Sequence, residues 1–318
     1  MTRWPNHEEA WRQWRDALNG ERMHHGWLLA GKAGLGKCEF ALAAARELVA
    51  EAGIPQPTGE HPDIITLTYG PKDDKGEKAQ ADGKPFERAR SIRIKQIRAM
   101  QRRLITRPTL GSRRAIIIDP ADDMEKSAAN ALLKSLEEPP VGTFFLLVTH
   151  RPARLLPTIR SRCRTLRFPV LTESQLTTLL ADEGLAPDPQ AIAAAEGSFG
   201  VAQRFAAQDL APVARVISGL LRAGDTGLAG RGELARLIGL RADRDRVQAV
   251  LDLAQSLVAR AARTSDDPQA CTRLIETHGA LVRLAAEAPT ANFDPGMLPF
   301  EIGSLLVAAA PASEPGHG

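Results

Sequence analysis

The sequence predicts an α/β domain built on a central parallel sheet, followed by two helical regions. Short apolar runs typical of buried strands alternate with helical patterns up to about residue 169. A glycine-rich turn joins the first of these runs to a helix. Beyond about residue 170 the pattern is helical and no strong strand recurs.

The predicted elements follow one another in a regular order. The strands are expected at residues 26–30, 64–68, 113–119, 143–149 and 165–168. The best-defined helices are expected at residues 8–19, 38–48, 94–104, 122–138, 247–263, 270–288 and 298–309. The expected domains are an α/β domain over 1–169, a small helical domain over 170–209, a larger helical domain over 210–310 and a disordered tail over 311–318.

Composition narrows the class of protein. The chain has 318 residues, a formal net charge of +3 and three cysteines that lie far apart in the sequence. Such cysteines fit a reducing cytoplasm and supply no zinc framework, and no apolar run is long enough to cross a membrane. We therefore expect a cytoplasmic protein without a membrane partner. The net charge is too small to predict a nucleic-acid partner by itself.

The turn after the first apolar run is a candidate phosphate-binding loop. Gly31, followed after four residues by Gly36 and Lys37, matches the spacing of the P-loop, and Gly34 lies between the two glycines. A strand, a glycine turn and a helix N-terminus direct backbone N–H groups to one spot, which suits a phosphate. The structural alternative is a glycine turn that only joins a strand to a helix.

Two residues near this loop, Cys38 and Pro120, differ from those of a working ATPase. Cys38 stands where Ser or Thr normally binds magnesium, and a neutral thiol is a poor ligand for so hard a cation. Asp119 ends a buried strand at the position that helps to hold magnesium, although a carboxylate at a helix N-terminus would give the same pattern. Pro120 replaces the Glu that often activates water. The sequence therefore predicts a degenerate nucleotide site that can hold ATP or ADP without hydrolysing it.

Two further segments have an unusual composition. Between Arg88 and Arg114 there are many Arg and Lys residues and no acidic residue. A helix here would direct most of these cations outward, where they could follow a phosphate backbone, form a solvated face or meet an acidic partner. Residues 69–86 are polar and charged, and we expect a mobile surface loop or hairpin there.

Two sequence blocks resemble a known family. The first runs from Ser127 to Pro140 and contains Asn-Ala-Leu-Leu-Lys and Leu-Glu-Glu-Pro-Pro, and the second is Ser161-Arg162-Cys163. With these blocks the chain resembles the bacterial DNA polymerase III clamp-loader subunits of the AAA+ class. The resemblance implies a P-loop domain, a small helical lid and a helical collar that joins subunits in a ring.

The resemblance also implies partners and a role for one residue. The family forms an ATP-driven loader that opens a sliding clamp and places it on primer-template DNA. The implied partners are the gamma/tau motor subunits and the delta subunit, with clamp and DNA met through the complex. In this family the arginine of the Ser-Arg-Cys block is an arginine finger that reaches the ATP site of a neighbour. This role falls on Arg162, whose guanidinium suits the charge on a transferring phosphoryl group.

The departures from the family pattern favour a subunit without its own ATPase activity. Besides Cys38 and Pro120, Gly200 stands where the motor subunits carry a sensing arginine. Relatives often carry a Cys₄ zinc module after the P-loop helix, but residues 48–60 contain no cysteine, so we expect no zinc and no required cofactor. Two alternatives stay open. The intact Lys37 would suit an active AAA+ ATPase, and the basic segment would suit a DNA-binding module.

Overall fold

The structure is a computed structural model that describes residues 3–186, 188–239, 244–287 and 297–311. The chain divides into two compact units, Met1–Val170 and Leu171–Gly318. The division of the second unit into a lid and a collar stays a prediction. All of the predicted tail except its first residue lies outside the described residues.

The first unit is a five-stranded parallel sheet with helices on both faces. Its strands are β1 (Gly26–Ala30), β2 (Ile64–Leu67), β3 (Arg114–Ile118), β4 (Thr143–Thr149) and β5 (Arg164–Arg167). Its helices are α1 (Glu8–Leu18), α2 (Lys37–Val49), α3 (Asp74–Ala81), α4 (Ile94–Leu104), α5 (Lys126–Glu137) and α6 (Pro157–Arg160). The strands lie in the order β2-β3-β4-β1-β5. The predicted parallel α/β sheet is confirmed.

Alternating side chains of the strands build a core on each face of the sheet. Trp27 and Leu29 of β1 pack on one face with α1 and α2, where the ring of Trp14 meets Trp27 edge-on at 5.3 Å. Leu28 points to the other face and packs with α4 and α5. Successive residues of a strand face opposite ways, so strands of unbroken apolar sequence suit a sheet that is covered on both sides.

A buried ion pair holds the edge of the sheet at which the strands begin, which we call the amino edge. Asp63 is fully buried just before β2 and accepts hydrogen bonds from the backbone N–H groups of Thr109 (2.7 Å) and Leu110 (2.8 Å). Its carboxylate lies 3.6 Å from the guanidinium of Arg114 at the start of β3. Arg114 also donates to the carbonyl oxygen of Arg103 at 2.7 Å. Asp63 thus fastens the chain between α4 and β3.

The prediction of a mobile loop or hairpin over residues 69–86 is only partly right. An antiparallel bridge between Pro71 and Arg88 closes the base of the segment, as in a hairpin. Between these residues the chain forms α3, which the prediction missed. The side chain of Asp73 caps this helix by accepting the N–H of Gly76 at 2.8 Å. Its sequence has almost no apolar residues, so no helical periodicity marks it.

The secondary-structure elements described in the second unit are all helices. Its helices are α7 (Glu173–Asp182), α8 (Pro189–Ala194), α9 (Phe199–Ala207), α10 (Ala211–Ala223), α11 (Ala229–Ile238), α12 (Arg244–Thr264), α13 (Pro268–Glu287) and α14 (Met297–Ala309). Helices α8 to α14 share one apolar core, in which Ile217, Leu253 and Leu281 are fully buried. Of the helices described in either unit, none is long and apolar enough to cross a membrane.

Candidate functional site

The glycine-rich loop lies between β1 and α2, at the carboxyl edge of the sheet. Gly34 and Gly36 have φ angles of 73° and 71°, a region that favours glycine. A Cβ on Gly31 would lie 2.5 Å from the carbonyl oxygen of Phe168, and a Cβ on Gly36 would lie 2.2 Å from the ring of Trp4. Packing around the loop therefore excludes side chains at Gly31 and Gly36. The loop turns directly into the N-terminus of α2, as a phosphate site requires.

The N-terminal segment around Trp4 and His7 packs against the glycine-rich loop. The sequence did not predict this packing. The indole N–H of Trp4 donates to the Glu39 carboxylate at 2.6 Å, and its ring stacks on His7. Nε2 of His7 lies 2.7 Å from the carbonyl oxygen of Leu35, to which it donates. Burial lowers the pKa of His7, so the ring is neutral near pH 7. Both residues brace the loop against movement.

Lys37 is buried beneath the loop and bonds to it. Its side-chain ammonium donates to the carbonyl oxygen of Gly31 at 2.7 Å and to that of Lys32. Burial lowers the pKa of Lys37 to about 8, although the carboxylates of Asp119 and Asp122 act in the opposite direction. The side chain is therefore mostly charged at pH 7. A bound phosphate would compete with the loop carbonyls for this ammonium.

The residues at the metal position fit magnesium poorly. The Cys38 thiol at the start of α2 lies beside the carboxylate of Asp119, which directly follows β3. Burial, helped by its interaction with the Asp119 carboxylate, raises the pKa of the Cys38 thiol to about 12. A protonated thiol offers Mg²⁺ no useful ligand. Asp119 does not cap the short helical turn Ala121–Asp123, which begins after Pro120 without a side-chain cap.

A second carboxylate fixes the turns at this edge. Asp122 is buried and accepts the backbone N–H groups of His150 (2.9 Å) and Arg151 (3.1 Å). Burial raises the pKa of Asp122, but its hydrogen bonds outweigh burial and hold the pKa below its usual value. Next to it, Asp123 accepts the Tyr69 hydroxyl at 2.6 Å. These bonds connect the turn after β3 to the turn after β4.

His150 is a site residue that sequence reasoning missed. It directly follows β4, which lies between the loop strand β1 and β3. Burial lowers the pKa of His150 and the charge of Lys37 lowers it further, while Asp122 and Asp119 oppose both, so the ring is neutral at pH 7. Its buried Nδ1 has no hydrogen-bond partner among the described residues. The topological position after a central strand is the signal that could have found it.

Arg162 lies at the opposite edge of the sheet from the loop. It follows α6 and precedes β5, and a Cβ on Gly26, the first residue of β1, would lie 2.9 Å from its carbonyl oxygen. Its guanidinium contacts Glu137 at 2.7 Å and donates to the carbonyl oxygen of Thr158 at 2.9 Å. Its side chain keeps 35% of its surface exposed.

The length of β1 separates Arg162 from the loop. This strand has five residues and runs from Gly26 to the loop. At about 3.3 Å per residue, the strand separates the Arg162 backbone from Gly31 by about 16 Å. The structure thus brings Lys37, Cys38 and Asp119 together with the loop glycines and leaves Arg162 outside that group. Arg162 therefore does not belong to the nucleotide site of its own chain.

Comparison with known proteins decides the family. A family model described as "DNA polymerase III, delta subunit" matches residues 6–172, just over half of the 318-residue chain. The chain belongs to this family. The resemblance drawn from the sequence is confirmed.

Two relatives named DNA polymerase III subunit delta' show the extent of the similarity. That of Pseudomonas aeruginosa is 34% identical over 222 residues, which cover 64% of this chain and 62% of the relative. That of Bacillus subtilis is 32% identical over 183 residues, which cover 54% of this chain and 50% of the relative. The chain thus matches between half and two thirds of these delta' subunits. The tau subunit of Escherichia coli is 31% identical over 193 residues, which cover 58% of this chain and 29% of that protein.

The basic segment of this delta-family chain forms α4, as predicted, but part of its charge is already engaged. Lys95 pairs with a carboxylate of α3 at 2.6 Å, Arg103 donates to a backbone carbonyl, and Arg114 is buried in its ion pair. Arg98 and Arg102 are exposed on α4 and line a groove of about 560 Å³ beside the end of α5. The free positive charge is therefore smaller than the sequence indicates.

The remaining predicted positions lie elsewhere. Gly200 lies in α9 of the second unit. Among the residues that the structure describes, no cluster of three or more His, Cys, Asp or Glu side chains is arranged to hold a metal ion. The expectations of no zinc and no required cofactor stay predictions.

Proposed function

We propose that this chain is a delta-prime-type subunit of a DNA polymerase III clamp loader, and that it supplies Arg162 to the ATP site of a neighbouring motor subunit. Family membership supports the assignment to the complex. The position of Arg162 supports its role at a neighbour's ATP site. It lies about 16 Å along β1 from the loop of its own chain, and its guanidinium is partly exposed. A guanidinium so placed is free to meet a phosphate bound to another subunit, where it would stabilise the transferring phosphoryl group.

The partners follow from the same assignment. They are the gamma/tau motor subunits and the delta subunit in a hetero-oligomeric ring, with the sliding clamp and primer-template DNA reached through the complex. The similarity to a tau subunit over 58% of this chain supports a ring of related subunits. The second, helical unit would form the contacts that join them.

The chain's own loop would bind nucleotide without turning it over. The loop backbone, the N-terminus of α2 and Lys37 suit a triphosphate. Hydrolysis also needs a metal ligand and a group that activates water. Cys38 offers a protonated thiol and Pro120 offers no base. Each such interaction is typically worth about 10²–10³ in rate, so their joint loss leaves no useful turnover.

The test is ATP turnover by the reconstituted loader with clamp and primed DNA. Arg162→Ala should lower turnover at the adjoining site by at least about tenfold, since arginine fingers supply about 10³–10⁵ in related enzymes. The matched control is Arg160→Ala, which removes an exposed arginine two positions earlier and should leave turnover unchanged. The isolated chain should bind ATP in a calorimetric titration and release no phosphate.

Two outcomes would contradict the proposal. Equal turnover in the Arg162→Ala and Arg160→Ala loaders would remove the finger assignment. Phosphate release by the isolated chain would favour the second candidate, an active AAA+ ATPase, for which the buried and charged Lys37 is the supporting observation.

A further inference from the structure

The guanidinium of Arg162 is held on two sides. One terminal nitrogen, Nη2, lies 2.7 Å from a carboxylate oxygen of Glu137. The other, Nη1, donates to the carbonyl oxygen of Thr158 at 2.9 Å and approaches the Ser161 hydroxyl at 3.5 Å. A guanidinium has five N–H donors in a rigid fork, so the remaining donors are still available to an incoming anion.

Both partners of the guanidinium belong to anchored elements. Glu137 is the last residue of α5, and the preceding Leu136 is buried in the core. Nε2 of His25 lies 2.9 Å from the carbonyl oxygen of Leu136, to which it donates, so the helix end is also fixed from β1. Thr158 lies in α6 beside the fully buried Ile159. The backbone that carries both partners of Arg162 is therefore anchored to the core of the sheet domain.

We infer that Glu137 is the positioning residue for Arg162: it holds the guanidinium in the pose in which it meets the phosphate of the neighbouring subunit. This inference rests on the proposed function and adds to it a second residue of this chain.

The Arg162–Glu137 ion pair orients the guanidinium more than it stabilises the fold. Both side chains are well exposed, 35% for Arg162 and 47% for Glu137, so water screens their attraction and the pair contributes little to folding. Its effect is to restrict a long side chain that otherwise samples many rotamers. A finger that is already oriented loses less freedom on meeting its phosphate, and misplacement by about 1 Å can cost about 100-fold in rate.

The number of N–H donors on Arg162 decides whether Glu137 raises or lowers turnover at the neighbouring site. Glu137 contacts Nη2 and Thr158 accepts from Nη1, which leaves the remaining N–H donors of the guanidinium open, so the contacts orient the finger and do not sequester it. Loss of the carboxylate should therefore lower the neighbour's kcat. The KM for ATP should change little, because the finger acts on the charge that develops in the transition state.

The experiment compares Glu137→Gln with Glu138→Gln in the complete loader. The two substitutions remove the same charge from adjacent residues, but the structure places only Glu137 against Arg162. Glu137→Gln should lower turnover at the adjoining site by about threefold to tenfold, and Glu138→Gln should leave it unchanged. Gel filtration and urea unfolding should show normal assembly and an unchanged midpoint for both.

A double variant separates positioning from any other role. If Glu137 acts through Arg162, then Glu137→Gln adds nothing in an Arg162→Ala loader. Additive losses, no loss from Glu137→Gln, or faster turnover would each overturn the inference. These results are distinct from failure of the proposed function, in which Arg162→Ala itself leaves turnover unchanged.

Discussion

The two edges of the sheet differ in the functional groups that they carry. At the carboxyl edge, the loop glycines and Lys37 are in place, but Cys38 and Pro120 stand where an ATPase has its metal ligand and its base. At the amino edge, Arg162 and Glu137 form an ordered, partly exposed pair. The groups that we propose to bind a phosphate lie at one edge, and the group that we propose to assist a neighbour lies at the other.

The difference has a physical cause. Phosphate binding depends on backbone N–H groups and on a helix N-terminus, which any sequence that forms the loop provides. Hydrolysis depends on particular side chains, and a single substitution is enough to remove any one of them. The amino edge has its own supports in α5, α6 and the Asp63–Arg114 pair. Changes at the carboxyl edge therefore leave Arg162 in place.

The prediction with the largest expected effect concerns the buried Asp63–Arg114 ion pair that holds the amino edge. Asp63→Ala would leave the buried Arg114 unpaired and two backbone N–H groups without acceptors. Removing one partner of a buried pair typically costs about 3–5 kcal/mol, so we expect the free energy of unfolding in urea to fall by that amount. The control is Asp82→Ala, whose carboxylate is exposed beside Lys84 and should change stability by less than about 0.5 kcal/mol. Equal losses would show that the Asp63 pair does not support this edge.

The second prediction concerns the pH dependence of ATP binding at the carboxyl edge. The pKa of Lys37 is about 8 in the free protein, and a bound phosphate favours its charged form. ATP affinity is therefore greatest below pH 8 and falls as the ammonium loses its proton above pH 8. The Kd at pH 9 should be about ten times that at pH 7.

A calorimetric titration of ATP into the isolated chain at both pH values measures this change. Lys37→Arg keeps a charge at both pH values and should give a Kd that is nearly independent of pH. A pH dependence that survives in Lys37→Arg would assign the titration to a group other than Lys37.

The third prediction tests whether Cys38 alone accounts for the proposed lack of ATP hydrolysis. Cys38→Ser introduces a hydroxyl beside Asp119 and should make ATP binding about tenfold tighter with Mg²⁺ than without it, a dependence that we do not expect of the natural chain. Turnover should stay absent, because Pro120 still offers no base. The control is Cys271→Ser in α13 of the second unit. Phosphate release by Cys38→Ser would show that the thiol alone silences the site.

The sheet and most helices could be predicted because their signals are local. Unbroken apolar runs gave strands within a residue or two of those observed, and the loop spacing placed Gly31, Gly36 and Lys37 together. Helix α3 was missed because it has little apolar surface to bury. The N-terminal brace on the loop was also missed, because Trp4 meets Gly36 through tertiary packing that no local pattern encodes.

The site residues that were missed share this property. Glu137 belongs to a block that the sequence marked, but its contact with Arg162 depends on how α5 and α6 end at the same edge of the sheet. His150 enters the site because β4 lies between β3 and β1, a consequence of strand order. Residue type and spacing predict what a segment can do, and the strand order decides which segments meet.

The prediction with the smallest expected effect concerns the basic surface of α4, which belongs to neither edge of the sheet. Arg98 and Arg102 are the exposed arginines of α4 in the groove beside α5, whereas Lys95 is already paired with Glu77. If the two arginines follow a phosphate backbone, the double variant Arg98→Ala/Arg102→Ala should reduce the slope of log K against log salt for primed DNA by about 1.8, or about 0.9 for each lost contact.

The measurement is fluorescence anisotropy of labelled primed DNA with the isolated chain over a series of salt concentrations. Lys95→Ala is the control, because its ammonium is engaged by Glu77 and its loss should change the slope much less. Equal slopes for the natural chain and the double variant would leave the basic helix as a solvated face. A reduced slope would mean that the chain contributes a DNA contact to the loader, in addition to the proposed sites at the two edges of its sheet.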